Sequence, residues 1–252
     1  MTGLQFAKPA EQTPALRIVD VGGDSPRPQR LTMTVIGPPK SGKTTFGANI
    51  IHTLNSEPGD KGGLLVDLEQ GAYYVPNSIP AVMPESWEEL KTLDKLSTLP
   101  NGRRITCVVI DTIDRAYDLL TQHALRKFNV TALNDAAYGA GWAYVREEME
   151  AFLNTLRARF SLVVLLAHSR IGDTDATPRI DIPGKAGRFI VAWSDIVGFI
   201  TARTEKDGNI VCTVAFGAGI GETGSRVAAL QGKVLPADWK TIRTYLTKSA
   251  AT

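Results

Sequence analysis

The clearest chemical pattern in the sequence is a glycine-rich octapeptide that ends in lysine and threonine. Residues 37–44 are Gly-Pro-Pro-Lys-Ser-Gly-Lys-Thr, a complete G-x-x-x-x-G-K-T phosphate-loop pattern. The glycines let backbone N–H groups face the phosphates of a nucleotide, and the helix that follows adds the positive end of its dipole. The predicted nucleotide-binding residues are therefore Gly37, Pro38, Pro39, Lys40, Ser41, Gly42, Lys43, Thr44 and Thr45.

Phosphate and magnesium chemistry is predicted at the end of this loop and at a distant aspartate. Lys43 has a binding and a catalytic role because it would neutralise the β- and γ-phosphates of ATP, and the Thr44 hydroxyl would ligate Mg²⁺. Asp111 ends an apolar run, and ligands bind at the carboxyl ends of strands in parallel sheets. We therefore assign Asp111 as the second partner of Mg²⁺, with ATP and Mg²⁺ as cofactors. The alternative for Asp111 is a cap on the next helix.

A catalytic carboxylate and a phosphate sensor are expected at two other strand ends. The residue after Asp111 is Thr112, so the glutamate that often stands beside this aspartate is absent. Glu69 is the best substitute as the group that orients and deprotonates water, whereas Asp67 is assigned to local structure. His168 follows the fourth apolar run and can hydrogen-bond the γ-phosphate. The alternatives are a solvated loop acid for Glu69 and a boundary residue for His168.

Basic residues follow His168 in a polar stretch that contains glycine and proline. Four of them are candidates for contacts with nucleic-acid phosphates or with the nucleotide of a neighbouring subunit: Arg170, Arg179, Lys185 and Arg188. The same stretch also carries three acids, Asp173, Asp175 and Asp181. A plain solvated loop is therefore the alternative.

Composition places the chain among ordinary globular proteins. Its 252 residues include 28 Lys+Arg and 26 Asp+Glu, for a net charge of +2, and 43 % are hydrophobic. The hydrophobic fraction excludes a disordered chain, and the small net charge argues against a protein that coats nucleic acid through its overall charge. The cysteines Cys107 and Cys212 lie in apolar runs and are expected to be buried free thiols. We found no apolar run that could span a membrane, and predict a cytoplasmic protein without membrane contact.

Short β-branched runs alternate with longer amphipathic segments from residue 31 onward. This alternation is typical of βαβ units and predicts an α/β fold with a mostly parallel central sheet flanked by helices. Residues 1–30 are expected to be a flexible lead, with one possible edge strand over 16–21, and residues 31–252 a single ATP-binding domain. Strands are predicted over 31–36, 63–68, 105–110 and 162–166, and a C-terminal hairpin over 195–202 and 210–216. Helices are predicted over 43–54, 85–96, 114–128 (capped by Asp114), 142–160 and 236–246.

The combined motifs resemble the RecA core. Four segments look more specifically like those of bacteriophage RecA-like nucleotide-binding proteins: Gly-Pro-Pro-Lys-Ser-Gly-Lys-Thr-Thr-Phe, Val-Val-Ile-Asp-Thr-Ile-Asp, Tyr-Gly-Ala-Gly-Trp and Ile-Pro-Gly-Lys-Ala. The resemblance spans about residues 31–235. Such proteins are minimal recombinases that promote single-strand annealing together with a single-stranded-DNA-binding protein. The resemblance implies the same partners here, a homo-oligomer, and a location in the cytoplasm of a phage host.

The resemblance also implies roles for individual residues. Glu69 matches the catalytic glutamate, Asp111 the Walker B aspartate, and His168 the position of a γ-phosphate-sensing glutamine, on a strand between those of the phosphate loop and Asp111. The segments 169–187 and 129–141 would correspond to two DNA-binding loops. Tyr138 and Trp142, near the segment 129–141, are possible base-stacking residues, although Trp142 is also a candidate core residue. Tyr73 or Tyr74 could stack on adenine.

Departures from the RecA pattern concern subunit contacts. The first 30 residues are unlike the oligomerisation arm of bacterial RecA, and residues 211–219 lack its lysine pair, so a trans-acting cation would come from elsewhere. Candidates for that cation are Lys185, Arg188 and Arg226.

Other P-loop classes fit less well. A small-molecule kinase needs an arginine-bearing lid, a partition-type ATPase has a lysine where Pro38 stands, and an AAA+ motor carries a helical lid domain. The RecA resemblance therefore implies a slowly hydrolysing DNA recombination ATPase, with a P-loop switch or binding module without DNA remodelling as the alternative.

Overall fold

A mixed β-sheet forms the centre of the molecule. The computed structural model describes residues 30–171, 177–217 and 221–248, and for residues 247 and 248 it describes the backbone only. The strands are β1 (Leu31–Gly37), β2 (Lys61–Asp67), β3 (Ala81–Val82), β4 (Arg104–Asp111), β5 (Leu162–Ile171), β6 (Pro178–Ile180), β7 (Ile196–Thr204), β8 (Ile210–Phe216), β9 (Gly224–Ser225) and β10 (Lys233–Pro236). The predicted lead, except Arg30, and the possible strand over 16–21 lie outside the described residues.

The strand order confirms a mostly parallel sheet. The order is β10-β8-β7-β1-β5-β4-β2-β3, and the six strands from β7 to β3 are parallel. The hairpin partner β8 is antiparallel to β7, as the Asp-Gly turn predicts, and β10 is antiparallel to β8. Strand β5 lies between β1 and β4, which is the position that the resemblance implied for the strand of His168.

Helices cover both faces of the sheet. They are α1 (Lys43–Ser56), α2 (Trp87–Lys91), α3 (Ile113–Phe128), α4 (Ala140–Arg159), α5 (Gly184–Trp193) and α6 (Trp239–Lys248). Side chains of α1 and α6 pack on one face, with Val35 and Val164 of the sheet, whereas α2 to α5 pack on the other, with Ile36 and Val163. Alternate residues of each central strand thus enter different cores, which explains why these strands carry apolar side chains on both faces. No described helix combines the length and apolar character needed to cross a membrane.

Several predicted boundaries are wrong for identifiable reasons. The helix predicted over 85–96 ends as an α-helix at Lys91, because the Thr92 hydroxyl donates to the Glu89 carbonyl at 2.7 Å and a 3-10 turn, Thr92–Lys95, follows. The last helix begins at Trp239 rather than residue 236, because Pro236 pairs with β8 and the Asp238 carboxylate accepts from the N–H of Thr241. Cys107 is buried as expected, but Cys212 is only half-buried.

The polar stretch predicted after His168 contains regular structure. Strand β5 continues to Ile171 because β6 pairs with it in an antiparallel hairpin, with Arg170 opposite Arg179. Helix α5 then begins at Gly184 and buries Ala186, Ile190 and Trp193 against the sheet. Asp173 and Asp175 lie outside the described residues.

Candidate nucleotide-binding site

The phosphate loop joins the end of β1 to the start of α1. Gly42 precedes the helix with φ +92°, a left-handed conformation that favours glycine. A Cβ on Gly42 would lie 2.7 Å from the sulfur of Cys212, and a Cβ on Gly37 would lie 2.7 Å from the carbonyl oxygen of Ile200. Hairpin β7–β8 therefore packs so closely against the loop that both positions require glycine.

The loop's lysine is buried and bonded to its own loop. Lys43 is 5 % exposed, and its Nζ donates to the carbonyl oxygens of Gly37 at 3.1 Å and Pro38 at 2.9 Å. Burial lowers the pKa of Lys43, while nearby carboxylates, above all Asp111, oppose that change. The Ser41 hydroxyl is buried and makes no hydrogen bond within the described chain. A phosphate group would offer both side chains acceptors. Pro38, Pro39, Lys40 and Thr45 are exposed, and Thr44 is half-buried.

Strand register brings the other predicted site residues to the same edge of the sheet. Asp67 of β2 pairs with Asp111 of β4, and Asp111 pairs with Leu166 of β5. Two residues further along β5, His168 pairs with Gly37 at the start of the phosphate loop. The carboxyl ends of four neighbouring strands thus form one polar edge around the loop.

Asp111 is a buried carboxylate that lacks a partner. It is fully buried, and neither oxygen accepts a hydrogen bond from any described residue. Burial raises the pKa of Asp111 to about 6. The nearby Thr44 hydroxyl opposes the rise without reaching hydrogen-bond geometry, and the charges of Glu69 and Asp67 add to it. A divalent cation beside Thr44 would satisfy these oxygens, so the residues present fit Mg²⁺.

Glu69 is held by two neighbours. The Asp67 carboxylate accepts from the backbone N–H groups of Glu69, Gly71 and Ala72, at 3.1, 3.1 and 2.8 Å, and so shapes the loop after β2. This confirms the local structural role predicted for Asp67. The Thr112 hydroxyl donates to Glu69 Oε1 at 3.1 Å. Glu69 is exposed, but it is bonded to the Asp111 strand end rather than fully solvated.

Asp114 is the site residue that the sequence analysis misassigned. It does not cap α3: the N-cap is Thr112, which has no side-chain cap. Its carboxylate instead accepts from the backbone N–H of His168 at 2.9 Å and lies 2.8 Å from His168 Nδ1. His168 Nδ1 is also 3.6 Å from Glu69 Oε1. The sequence holds only one signal for this contact, an aspartate in the first turn of the helix that leaves the same sheet edge.

The four basic candidates lie beyond this edge. All four are exposed: Arg170 and Arg179 in the β5–β6 hairpin, and Lys185 and Arg188 on α5. The latter two therefore belong to a helix and not to the predicted loop. Arg226, the further trans-acting candidate, pairs with Asp195 at 3.1 Å near the start of β7.

An apolar groove lies between the starts of α4 and α5. It has a volume of about 490 Å³ and is lined in part by Tyr117, Trp142, Val145, Arg146, Pro183 and Lys185. Trp142 is 44 % exposed, so it is not a core residue, and its indole N–H donates to Asn134 Oδ1 at 2.6 Å. Tyr138, Tyr73 and Tyr74 are also exposed. The groove joins the two segments that the resemblance implied as DNA-binding loops.

Comparison with known proteins identifies the family. No curated protein matches the chain. A family model described as "AAA domain" matches residues 29–234, which include the phosphate loop, Glu69, Asp111 and His168. Beyond β8, the described residues form two short strands, a 3-10 turn and α6. The chain therefore belongs to the AAA domain family and is a P-loop NTPase of the AAA type.

Proposed function

We propose that the chain is a slowly hydrolysing ATPase that binds single-stranded DNA when ATP is bound and promotes strand annealing in recombination. The main support for this proposal is that one strand, β5, connects the phosphate loop with a pair of exposed arginines. The strand places His168 beside the phosphate loop and continues directly into the exposed β5–β6 hairpin with Arg170 and Arg179. The segment after β6 leads to Lys185 at the groove.

Nucleotide chemistry is assigned to the polar edge. Lys43 exchanges its bonds with loop carbonyls for bonds with the β- and γ-phosphates, and Ser41 donates its free hydroxyl. Thr44 and Asp111 would hold Mg²⁺, which supplies charge stabilisation for phosphoryl transfer. Glu69 orients a water molecule and takes its proton as the water attacks the γ-phosphate, which leaves ADP and phosphate. Thr112 keeps the Glu69 carboxylate in place through its hydroxyl.

Single-strand binding is assigned to the groove and its cationic margin. An exposed tryptophan gives a stacking surface that any base can use, and Arg146 and Lys185 offer charge to the phosphates. With a net charge of +2, the chain depends on such a local site rather than on bulk electrostatics.

Coupling between the two sites runs through β5. A γ-phosphate bonded to His168 shifts the balance between two positions of the β5–β6 hairpin, and the favoured position binds DNA more tightly. Among the described residues, Lys43 is the basic side chain whose charge lowers the pKa of Asp111. We therefore include a homo-oligomer in the proposal, in which a neighbouring copy supplies a second cation, and a single-stranded-DNA-binding protein as a further partner.

Trp142 fluorescence tests the DNA part of the proposal. The other three tryptophans, Trp87, Trp193 and Trp239, are at most 5 % exposed, so quenching by oligo(dT) would report on Trp142. We expect quenching with Mg²⁺ and a non-hydrolysable ATP analogue. Trp142→Ala should lower DNA affinity about 5- to 150-fold, since stacking contributes about 1–3 kcal/mol per base, whereas Trp142→Phe should retain most of the affinity. Absence of quenching and of binding in every nucleotide state would refute the proposal.

A second cavity favours one alternative. It has a volume of about 400 Å³, is lined by polar side chains including Gln70, Arg115 and Asp118, and adjoins Asp67 near the Glu69 loop. A small polar phosphoryl acceptor would fit there, which favours a small-molecule phosphotransferase. Phosphate transfer to an added acceptor, without DNA binding, would support that alternative.

A further inference from the structure

The two carboxylate oxygens of Asp114 hold His168 at two points. One oxygen accepts the backbone N–H of His168 at 2.9 Å, and the other lies 2.8 Å from the ring nitrogen Nδ1. The side chains are 15 % and 22 % exposed, so solvent competes only partly for this contact. Asp114 thereby fixes both the backbone and the ring of the residue that faces Gly37 across β1 and β5.

The carboxylates of Asp114 and Glu69 determine which ring nitrogen of His168 carries the proton. The Glu69 carboxylate lies 3.6 Å from the same nitrogen, and ionised carboxylates only accept hydrogen bonds. Nδ1 must therefore carry a proton. In the neutral ring, the lone pair then belongs to Nε2, which makes no hydrogen bond with a described residue.

We infer that Asp114 is a positioning residue that sets the tautomer and orientation of His168, and through His168 the geometry of the Glu69 carboxylate. Glu69 Oε1 accepts from the Thr112 hydroxyl, and the His168 ring lies beside the same oxygen at a contact distance of 3.6 Å, so the orientation of the ring limits where the Glu69 carboxylate can lie. The part of this inference that concerns turnover rests on the proposed ATPase function. The tautomer of His168 does not depend on that function.

Nitrogen NMR tests the tautomer directly. The chain has three histidines, so ¹⁵N-labelled histidine gives a simple spectrum, and His168→Gln assigns the signal. Spectra would be recorded through an alkaline pH series until the ring carries one proton. We expect that proton on Nδ1 in the wild type. In Asp114→Asn the amide oxygen still accepts from the backbone N–H of His168, so its NH₂ group faces Nδ1 and moves the ring proton to Nε2. A proton on Nε2 in the wild type, or on Nδ1 in the variant, would overturn the inference.

Kinetics test the effect on turnover. Asp114→Asn should lower kcat roughly 10- to 100-fold with a smaller change in KM, because Asp114 contacts His168 directly and acts on Lys43 of the phosphate loop only through its charge. The matched control is Glu88→Gln, whose carboxylate contacts the ring of another histidine, His123, outside the site. Asp114→Glu keeps an acceptor and should retain more activity than Asp114→Asn. Equal kcat in wild type and Asp114→Asn would overturn the positioning role. If the wild type hydrolyses no ATP, the proposed function fails, and the NMR result alone decides the inference.

Discussion

Asp111 allows a prediction in which loss of nucleotide function accompanies a gain in stability. Its carboxylate is fully buried and accepts no hydrogen bond from the described part of the chain, and burial raises its pKa from 3.8 to about 6. Folding therefore stabilises the protonated form of Asp111 relative to the charged form. Asp111→Asn replaces the carboxylate with a neutral group of the same shape. Burying this amide without hydrogen bonds destabilises the fold about as much as burying a protonated carboxyl group.

The magnitude follows from linkage. Because the pKa of Asp111 is higher in the folded state, the unfolded chain loses its proton first as pH rises from about 4 to about 6. Stability of the nucleotide-free wild type should fall over this range and stay lower above it. At 1.36 kcal/mol per pKa unit, the cost is about 3 kcal/mol. For a chain of this size that corresponds to roughly 6–12 °C in Tm.

Thermal unfolding without nucleotide or Mg²⁺ is the assay. We expect Asp111→Asn to unfold at a higher temperature than the wild type at pH 7.5, and the difference to shrink toward pH 4. Mg²⁺ and ATP analogue should stabilise the wild type far more than the variant. Glu147→Gln removes an exposed charge, 3.8 Å from Arg146, and should change stability by no more than about 0.5 kcal/mol. A variant less stable than the wild type at pH 7.5, or a pH-independent difference, would refute the reasoning.

Four further variants test the site. Lys43→Ala should leave the far-UV circular dichroism unchanged but lower ATP affinity in calorimetry roughly 10- to 100-fold, because it removes a charged donor; unchanged affinity would contradict the assignment. Glu69→Gln should bind ATP normally in the same titration and lose phosphate release, and unaltered turnover would exclude the role of Glu69. Gly42→Ala should reduce nucleotide affinity and cost about 1–2 kcal/mol in urea unfolding, because its Cβ meets Cys212 at positive φ; wild-type behaviour would show that the loop can adapt. Asp67→Ala should lower kcat, because three loop N–H groups lose their acceptor; an unchanged kcat would separate this loop from catalysis.

Local patterns were sufficient to predict the central strands and the phosphate loop. Strands β1, β4 and β5 are rich in buried apolar residues, and the apolar runs of β4 and β5 lead to Asp111 and His168. The phosphate loop is contiguous in the sequence, so its residues and its place between strand and helix follow from the motif alone. Of the strand order, only the place of β5 between β1 and β4 was predicted, and it came from the RecA resemblance, because periodicity does not determine which strands are neighbours.

Contacts between distant segments were not predictable in the same way. Asp114 and His168 are 54 residues apart, and each has a local interpretation, as a helix cap and as a boundary residue. The β5–β6 hairpin depends on pairing across a polar segment that lacks alternation, and α5 begins in a run with glycine and basic residues. In these regions tertiary packing outweighs local propensity.

Nucleotide-gated binding of single-stranded DNA is most directly tested by fluorescence anisotropy. A labelled single-stranded oligonucleotide would be titrated with the protein in Mg²⁺, with no nucleotide, with ADP, or with a non-hydrolysable ATP analogue. Tight binding only with the ATP analogue is the predicted result, and Lys43→Ala should abolish the difference between nucleotide states. Equal binding in all states, or none in any, would contradict the proposal that the phosphate loop controls a DNA site through β5.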